Sequence, residues 1–162
     1  MAAWVASRIP LMAGTLGFEE NAVTFGVLSD EAQLLGGVVF TDWQPTYRSI
    51  QISFASASPK FLTPRLVTDI LEYPFGQLAC GRVTSITPSK TASALRFLEK
   101  FGFSREGLIR RGFGTDDAII SGLLAEDWAE HRFNMRSRLN GKALPPVSAK
   151  PEHGCAATDR LK

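Results

Sequence analysis

A single α/β domain is what this 162-residue sequence predicts, and three observations lead to that expectation. Residues 47–103 read strand, short polar loop, helix, strand, helix. Residues 21–41 read as two strands joined by a turn, and residues 105–124 as two more strands. The length suits one domain with a core of its own, and the apolar and charged fractions are ordinary for a globular protein.

At the start, Trp4, Val5, Arg8, Ile9 and Met12 mark one face of a helix that Pro10 bends or ends. Trp4 is expected as a core anchor and Arg8 as a solvated charge; the alternative sets both at the mouth of a substrate site. Residues 21–28 alternate as a strand, Ser29-Asp30-Glu31-Ala32 turns the chain, and residues 34–41 return. Gly36-Gly37 within the returning strand marks a bulge or the close approach of another group. Residues 42–46 are expected as a loop, with Trp43 closing the hairpin or covering a pocket.

The central strand is 47–55, followed by the small, polar residues 56–60. Thr63 is the expected N-cap of the next helix, and Pro64 takes its first position, where a missing N–H is harmless. Apolar residues at 62, 66, 70 and 71 define the buried face, Pro74 kinks the last turn, and Gly81 lies beyond the end. A strand at 82–87 and a helix at 91–101 follow. Beyond Phe103 come a strand at 105–110, a loop at 111–117, a strand at 118–124 and a polar helix from Glu126 to about residue 139. From residue 140 on, Pro145-Pro146, glycine and scattered charge cannot bury enough apolar area to fold. The expected organisation is therefore a domain at 1–139 and a disordered basic tail at 140–162.

The net charge of +2 is uneven, slightly acidic up to residue 128 and basic beyond it. A solvated tail is the expectation, with nucleic acid as a less favoured partner. The two cysteines, Cys80 and Cys155, form neither a disulfide framework nor a metal-ligand spacing, so no metal is expected and a reducing cytosol is. No apolar run reaches the ~18 residues of a membrane span. Arg8 and Pro10 interrupt the apolar N-terminus, so no secretory leader is expected.

Leu95-Arg96-Phe97-Leu98-Glu99-Lys100-Phe101-Gly102-Phe103 resembles the "L-x-x-L/Y-E-K-x-G-F" ending of the acetyl-CoA-dependent GNAT N-acyltransferases. Glu106-Gly107-Leu108-Ile109-Arg110 is similar to the "E-G-x-x-R" of the branch that acetylates protein N-termini, as are Tyr73-Pro74-Phe75 and Arg82-Val83 to its "Y-x-F … R-V". Trp4 to Pro10 and Leu62-Thr63 resemble short, phage-associated members, and Glu126-Asp127-Trp128 a closing "E-x-W". Together these span roughly residues 4–128. The resemblance implies a mixed, splayed β-sheet flanked by helices, and acetyl transfer from acetyl-CoA to a primary amine. Many relatives place one more strand before the first helix; a homodimer partner is one reading of that edge.

The resemblance also distributes roles. Backbone N–H groups near Ile52, Ser53 and Phe54 would polarise the thioester carbonyl, where the central strand splays from its parallel neighbour. The pyrophosphate loop "Q/R-x-x-G-x-G/A" aligns with residues 59–64, where Pro59 and Phe61 replace both glycines. Lys60, Phe61, Leu62, Thr63 and Arg65 would hold the phosphates there, with charge and hydroxyl compensating for the lost glycines. Thr91 stands where relatives carry a coenzyme-contacting Asn; an N-cap is its other reading.

Acid and base have no clear owners. Leu98 stands where many relatives have an acidic Tyr, and His131 and His153 fall outside the expected core. That leaves Tyr47 as proton donor and Asp42 as base through water, with Glu31 and Asp117 as further loop carboxylates. Gln51, at a position where similar chains carry Glu, would orient the amine. Two other classes remain open: a degenerate GNAT-fold binding or assembly module, and a phage-type nucleic-acid modifier.

Overall fold

The structure is a computed structural model that describes residues 2–8, 22–57 and 61–134. Its elements are α1 (Ala2–Ala6), β1 (Val23–Leu28), β2 (Leu34–Gln44), β3 (Ser49–Ser56), α2 (Pro64–Glu72), β4 (Arg82–Pro88), α3 (Ala92–Lys100), β5 (Ser104–Phe113), β6 (Asp116–Leu124) and α4 (Ala125–Glu130). The strands form one six-stranded sheet in the order β1-β2-β3-β4-β6-β5. β3 and β4, joined by the α2 crossover, are the neighbouring pair that runs parallel; the other neighbouring pairs are antiparallel.

One face of the sheet carries the main core. Val38, Phe40, Ile50, Ile52 and Val83 alternate onto it and meet Val67, Ile70 and Leu71 of α2 and Leu98 of α3. On the other face α1 sets Val5 against Val39 and Ala55, with Trp4 beside them. Trp4 is thus a packing residue, and the exposed Arg8 lies with its guanidinium 4.7 Å from the Trp4 ring.

The helix signals hold in detail. The Thr63 hydroxyl accepts from the Leu66 N–H at 3.3 Å, and Pro64 opens α2. Pro74 has no N–H for the α ladder, and the chain widens into a π turn at Tyr73–Gln77, with Leu78 N–H donating to the Tyr73 carbonyl at 3.1 Å. α3 stops at Gly102, whose φ of +91° lets Phe103 N–H reach back to the Leu98 carbonyl at 3.1 Å. Gly36-Gly37 serves close approach: the Phe61 ring occupies the space a Cβ on Gly36 would need.

Several expectations need correction. Residues 42–44 are strand, because a β-bulge between Thr41 and Gln44 absorbs the extra residue and pairing resumes at Gln44–Ser49. The central strand starts at Ser49, so Tyr47 lies in the preceding turn. The loop expected at 111–117 shrinks to Gly114-Thr115, as Phe113 pairs with Asp116 and Gly114 takes φ +69°. His131 is half-buried, stacked on Trp128 at 5.4 Å between centroids and edge-on to Phe133, so it belongs to the packed domain. The helix expected from Glu126 to about residue 139 stops at Glu130, where His131 takes an extended backbone; residues 135–139, the boundary at 139/140, the tail, Lys60, His153 and Cys155 lie outside the described residues. Among the described residues no helix is long and apolar enough to cross a membrane.

Candidate active site

The site starts from a break in the sheet. β3 pairs with β4 only through Ser49–Arg82, Ile50–Val83 and Gln51–Thr84. Beyond Gln51 the strands part: Ile52 to Ser56 keep their bonds to β2, and Ser85 to Pro88 keep theirs to β6. A wedge therefore opens between two parallel strands, lined by backbone polar groups that have no sheet partner on that side. Its vertex is Gln51 and Thr84, and its wide end faces the N-terminus of α2.

The residues expected around the coenzyme gather here to different degrees. Ile52 is buried, and Ser53 and Phe54 are half-buried along the open edge of β3. Leu62 is half-buried at the entry to α2, while Thr63 and Arg65 are exposed there. With Pro64 donating nothing, the first turn of α2 offers few backbone N–H groups to an anion. Phe61 is 5% exposed and packs under Gly36 and against Phe97, a structural role. Thr91 is exposed and precedes α3 without a side-chain cap hydrogen bond, its carbonyl accepting from Ala94 and Leu95 N–H instead.

On the face opposite α2 and α3, a polar band crosses the vertex. The bulge gives Asp42 a φ of +53° and sets its carboxylate between two amides. Gln44 Nε2 donates to Asp42 Oδ1 at 2.9 Å and Gln51 Nε2 to Asp42 Oδ2 at 2.7 Å. These bonds, Gln44 first, hold the Asp42 carboxyl below its ordinary pKa. Next to Gln51 is Thr84, whose hydroxyl accepts from Arg82 Nε at 3.0 Å. Arg82 then reaches across β6 to a two-pronged ion pair with Glu106 of β5. The pair holds the Glu106 carboxyl below its usual range. Gly122 makes the crossing feasible, since a Cβ there would collide with both partners.

Of the catalytic expectations, Asp42 and Gln51 are in direct contact at the vertex. Tyr47 is separate, 79% exposed in the turn ahead of β3. Glu31 is exposed and hydrogen-bonds the Ser29 hydroxyl through its own N–H, and Asp117 Oδ1 accepts from Arg111 N–H at 2.8 Å, so both are turn-forming groups. Trp43 closes the hairpin against the core. The pairing of Arg82 with Glu106, and Thr84 beside it, escaped the sequence reading. The only signal was a glycine inside β6, uninformative until the strand order is known. Cys80 is 1% exposed, and burial raises its thiol to about 11, so it is no nucleophile.

No family model matches the sequence, and comparison with curated proteins finds no relative. Solved structures do match. A spermidine N-acetyltransferase from Vibrio cholerae superposes with a TM-score of 0.62 at 18% identity, covering 69% of this chain and 70% of that one. A putative acetyltransferase from T. thermophilus gives 0.64 at 19% identity, over 75% of this chain and 68% of that one. A further structure, described as a probable acetyltransferase, gives 0.57 at 22%, over 67% and 64%. The fold is that of the GNAT acetyltransferases, with their mixed sheet flanked by helices.

Proposed function

We propose that this protein transfers an acetyl group from acetyl-CoA to a primary amine, with a protein or peptide N-terminus as the first acceptor to test. The observation that carries the reading is the wedge beyond Gln51 and Thr84, which opens toward the N-terminus of α2. An extended pantetheine arm fits there as an added strand, bonded to the free edge at Ile52, Ser53 and Phe54. Thr63, Arg65 and Lys60 take the phosphates, Leu62 and Thr91 flank the arm, and Phe61 supports the loop from below.

The amine approaches from the face carrying Asp42, Gln51 and Thr84. Its nitrogen lone pair attacks the thioester carbon, the developing oxyanion takes a backbone N–H of the open edge, and the carbon–sulfur bond breaks. The extra proton on the attacking nitrogen goes to water, and the departing thiolate takes one from solvent. Asp42, already accepting two hydrogen bonds and held ionised, is a weak base. Its part is to fix the Gln51 amide so that Oε1 accepts an N–H of the incoming amine.

A second reading, a binding module without turnover, draws on the same fact: both carboxylates of the band are engaged by partners. Calorimetric titration with acetyl-CoA decides first. Micromolar binding, about −8 kcal/mol, weakened in a Thr63→Ala, Arg65→Ala double variant, supports the coenzyme site. A screen of amines, peptides and polyamines then tests turnover. Coenzyme binding with no product on any acceptor favours the module, and no binding at millimolar ligand rules out the enzyme.

A further inference from the structure

The core beneath the wedge is not fully packed. A cavity of about 30 Å³ lies between β3 and the two helices on the core side. Its walls include Ile52 and Phe54 of β3, Val67 and Leu71 of α2, and Phe97 and Leu98 of α3, and every side chain lining it is apolar. An apolar void of this kind stays dry and takes apolar guests. One water-sized occupant needs roughly 10–15 Å³ on the same measure, so there is room for about two methylene-sized groups.

Its position matters more than its size. Ile52 is the first residue of β3 past the vertex, and Phe54 follows on the same side of the strand. Their backbones edge the wedge where the thioester would lie, and their side chains wall the cavity. A carbon chain continuing from a carbonyl held at Ile52 therefore has an apolar space directly ahead, on the side away from the amine. The aromatic ring of Phe97, 5.1 Å from Phe54 between centroids, forms part of its wall.

We propose that this cavity is an acyl slot, so that the donor site takes propionyl and butyryl thioesters more tightly than acetyl. The inference rests on the coenzyme reading above. Each methylene moved from water into the slot strengthens binding roughly fourfold. The gain ends at about two methylenes, which is what the cavity volume holds.

The test is a calorimetric series on the full chain with CoA and its acetyl, propionyl, butyryl and hexanoyl thioesters. The expected result is a Kd that falls about fourfold per step from acetyl to butyryl and rises again at hexanoyl. Filling the slot by Val67→Leu, or from β2 by Val38→Ile, lowers the butyryl-to-acetyl affinity ratio toward one. Thermal melts report whether each variant folds, and the wild-type series stands without them. Flat or weakening affinity from acetyl to butyryl overturns the slot while leaving the coenzyme site intact. An unchanged ratio in folded, slot-filled variants also overturns it. Failure of every ligand, CoA included, overturns the coenzyme reading and the slot with it.

Discussion

Arg82 on β4 and Glu106 on β5 form a two-pronged ion pair across the intervening strand β6, 24 residues apart in sequence, with Nη1 donating to Oε1 at 2.9 Å. Gly122 lies under the contact and leaves no Cβ to obstruct it. The pair also turns the Arg82 Nε toward Thr84 at the vertex of the wedge.

Gly122→Ala is therefore expected to cost about as much as loss of the pair: the new methyl meets the far ends of two flexible, partly exposed side chains, which can swing aside only by giving up their contact. Glu106→Gln keeps the shape, and because both side chains are about a third exposed, it costs less than about 1 kcal/mol. Urea unfolding midpoints of the two variants should therefore lie close together. The Glu106 carboxyl is depressed below its usual 4.5 by Arg82. Its contribution is thus complete above that pH and lost as pH falls through the lower folded value. Glu106→Gln should remove that part of the acid slope.

His131 gives a pH dependence of the same sign in a higher window. Burial, with Arg132 nearby, holds its pKa below 6.5. The unfolded chain takes up the proton first, so stability falls as pH drops through about 6.5 and levels off below the folded pKa. The ring packs on Trp128 and beside Phe133. His131→Phe should keep the packing and flatten the stability profile between pH 7 and 5, followed by thermal melts. An unchanged profile would mean that another group titrates there.

The α2 cap is a local prediction. Thr63→Ala removes the oxygen that accepts the Leu66 N–H and should cost about 1 kcal/mol of stability. Thr63→Ser, which keeps that oxygen, should restore most of it. The same two variants titrated with acetyl-CoA separate capping from phosphate binding, since capping alone moves the melting temperature and leaves coenzyme affinity as it was.

How far these features were legible in the sequence depends on whether local chemistry determines them. Thr63-Pro64 and Gly102-Phe103 punctuate helices through backbone bonds within a few residues, and both appear where expected. Pro74 announced a disturbance but not its form, because a kink and a π turn begin from the same missing N–H. The bulge at Asp42 looks like a loop in sequence: polar residues do not say whether pairing resumes, and it does at Gln44. At the site, the open edge of β3 followed from the family resemblance, whereas the Arg82–Glu106 crossing depends on which strand lies between. That is a property of topology, to which no residue spacing is a guide.

The contact between Gln51 and Asp42 gives the sharpest functional test. At 2.7 Å the Gln51 amide donates to a carboxylate that Gln44 also holds, so Gln51 Nε2 is committed and Oε1 is the atom left to accept a hydrogen bond. If that oxygen orients the amine, Gln51→Ala should lower kcat/KM about tenfold, one hydrogen bond's worth, while the Kd for acetyl-CoA stays within about twofold. Asp42→Asn keeps only one accepting oxygen for two donors and should give a smaller loss, mostly in KM for the amine. Because the Asp42 carboxyl sits below its usual 3.8, it stays ionised at any pH above that value. The rate should then show no inflection from Asp42 between pH 5 and 9. If Asp42 instead removed the proton, Asp42→Asn would cost roughly 10²–10⁴ in kcat, with the amine KM little changed. Steady-state kinetics of the two variants over that pH range distinguish an orienting pair from a general base.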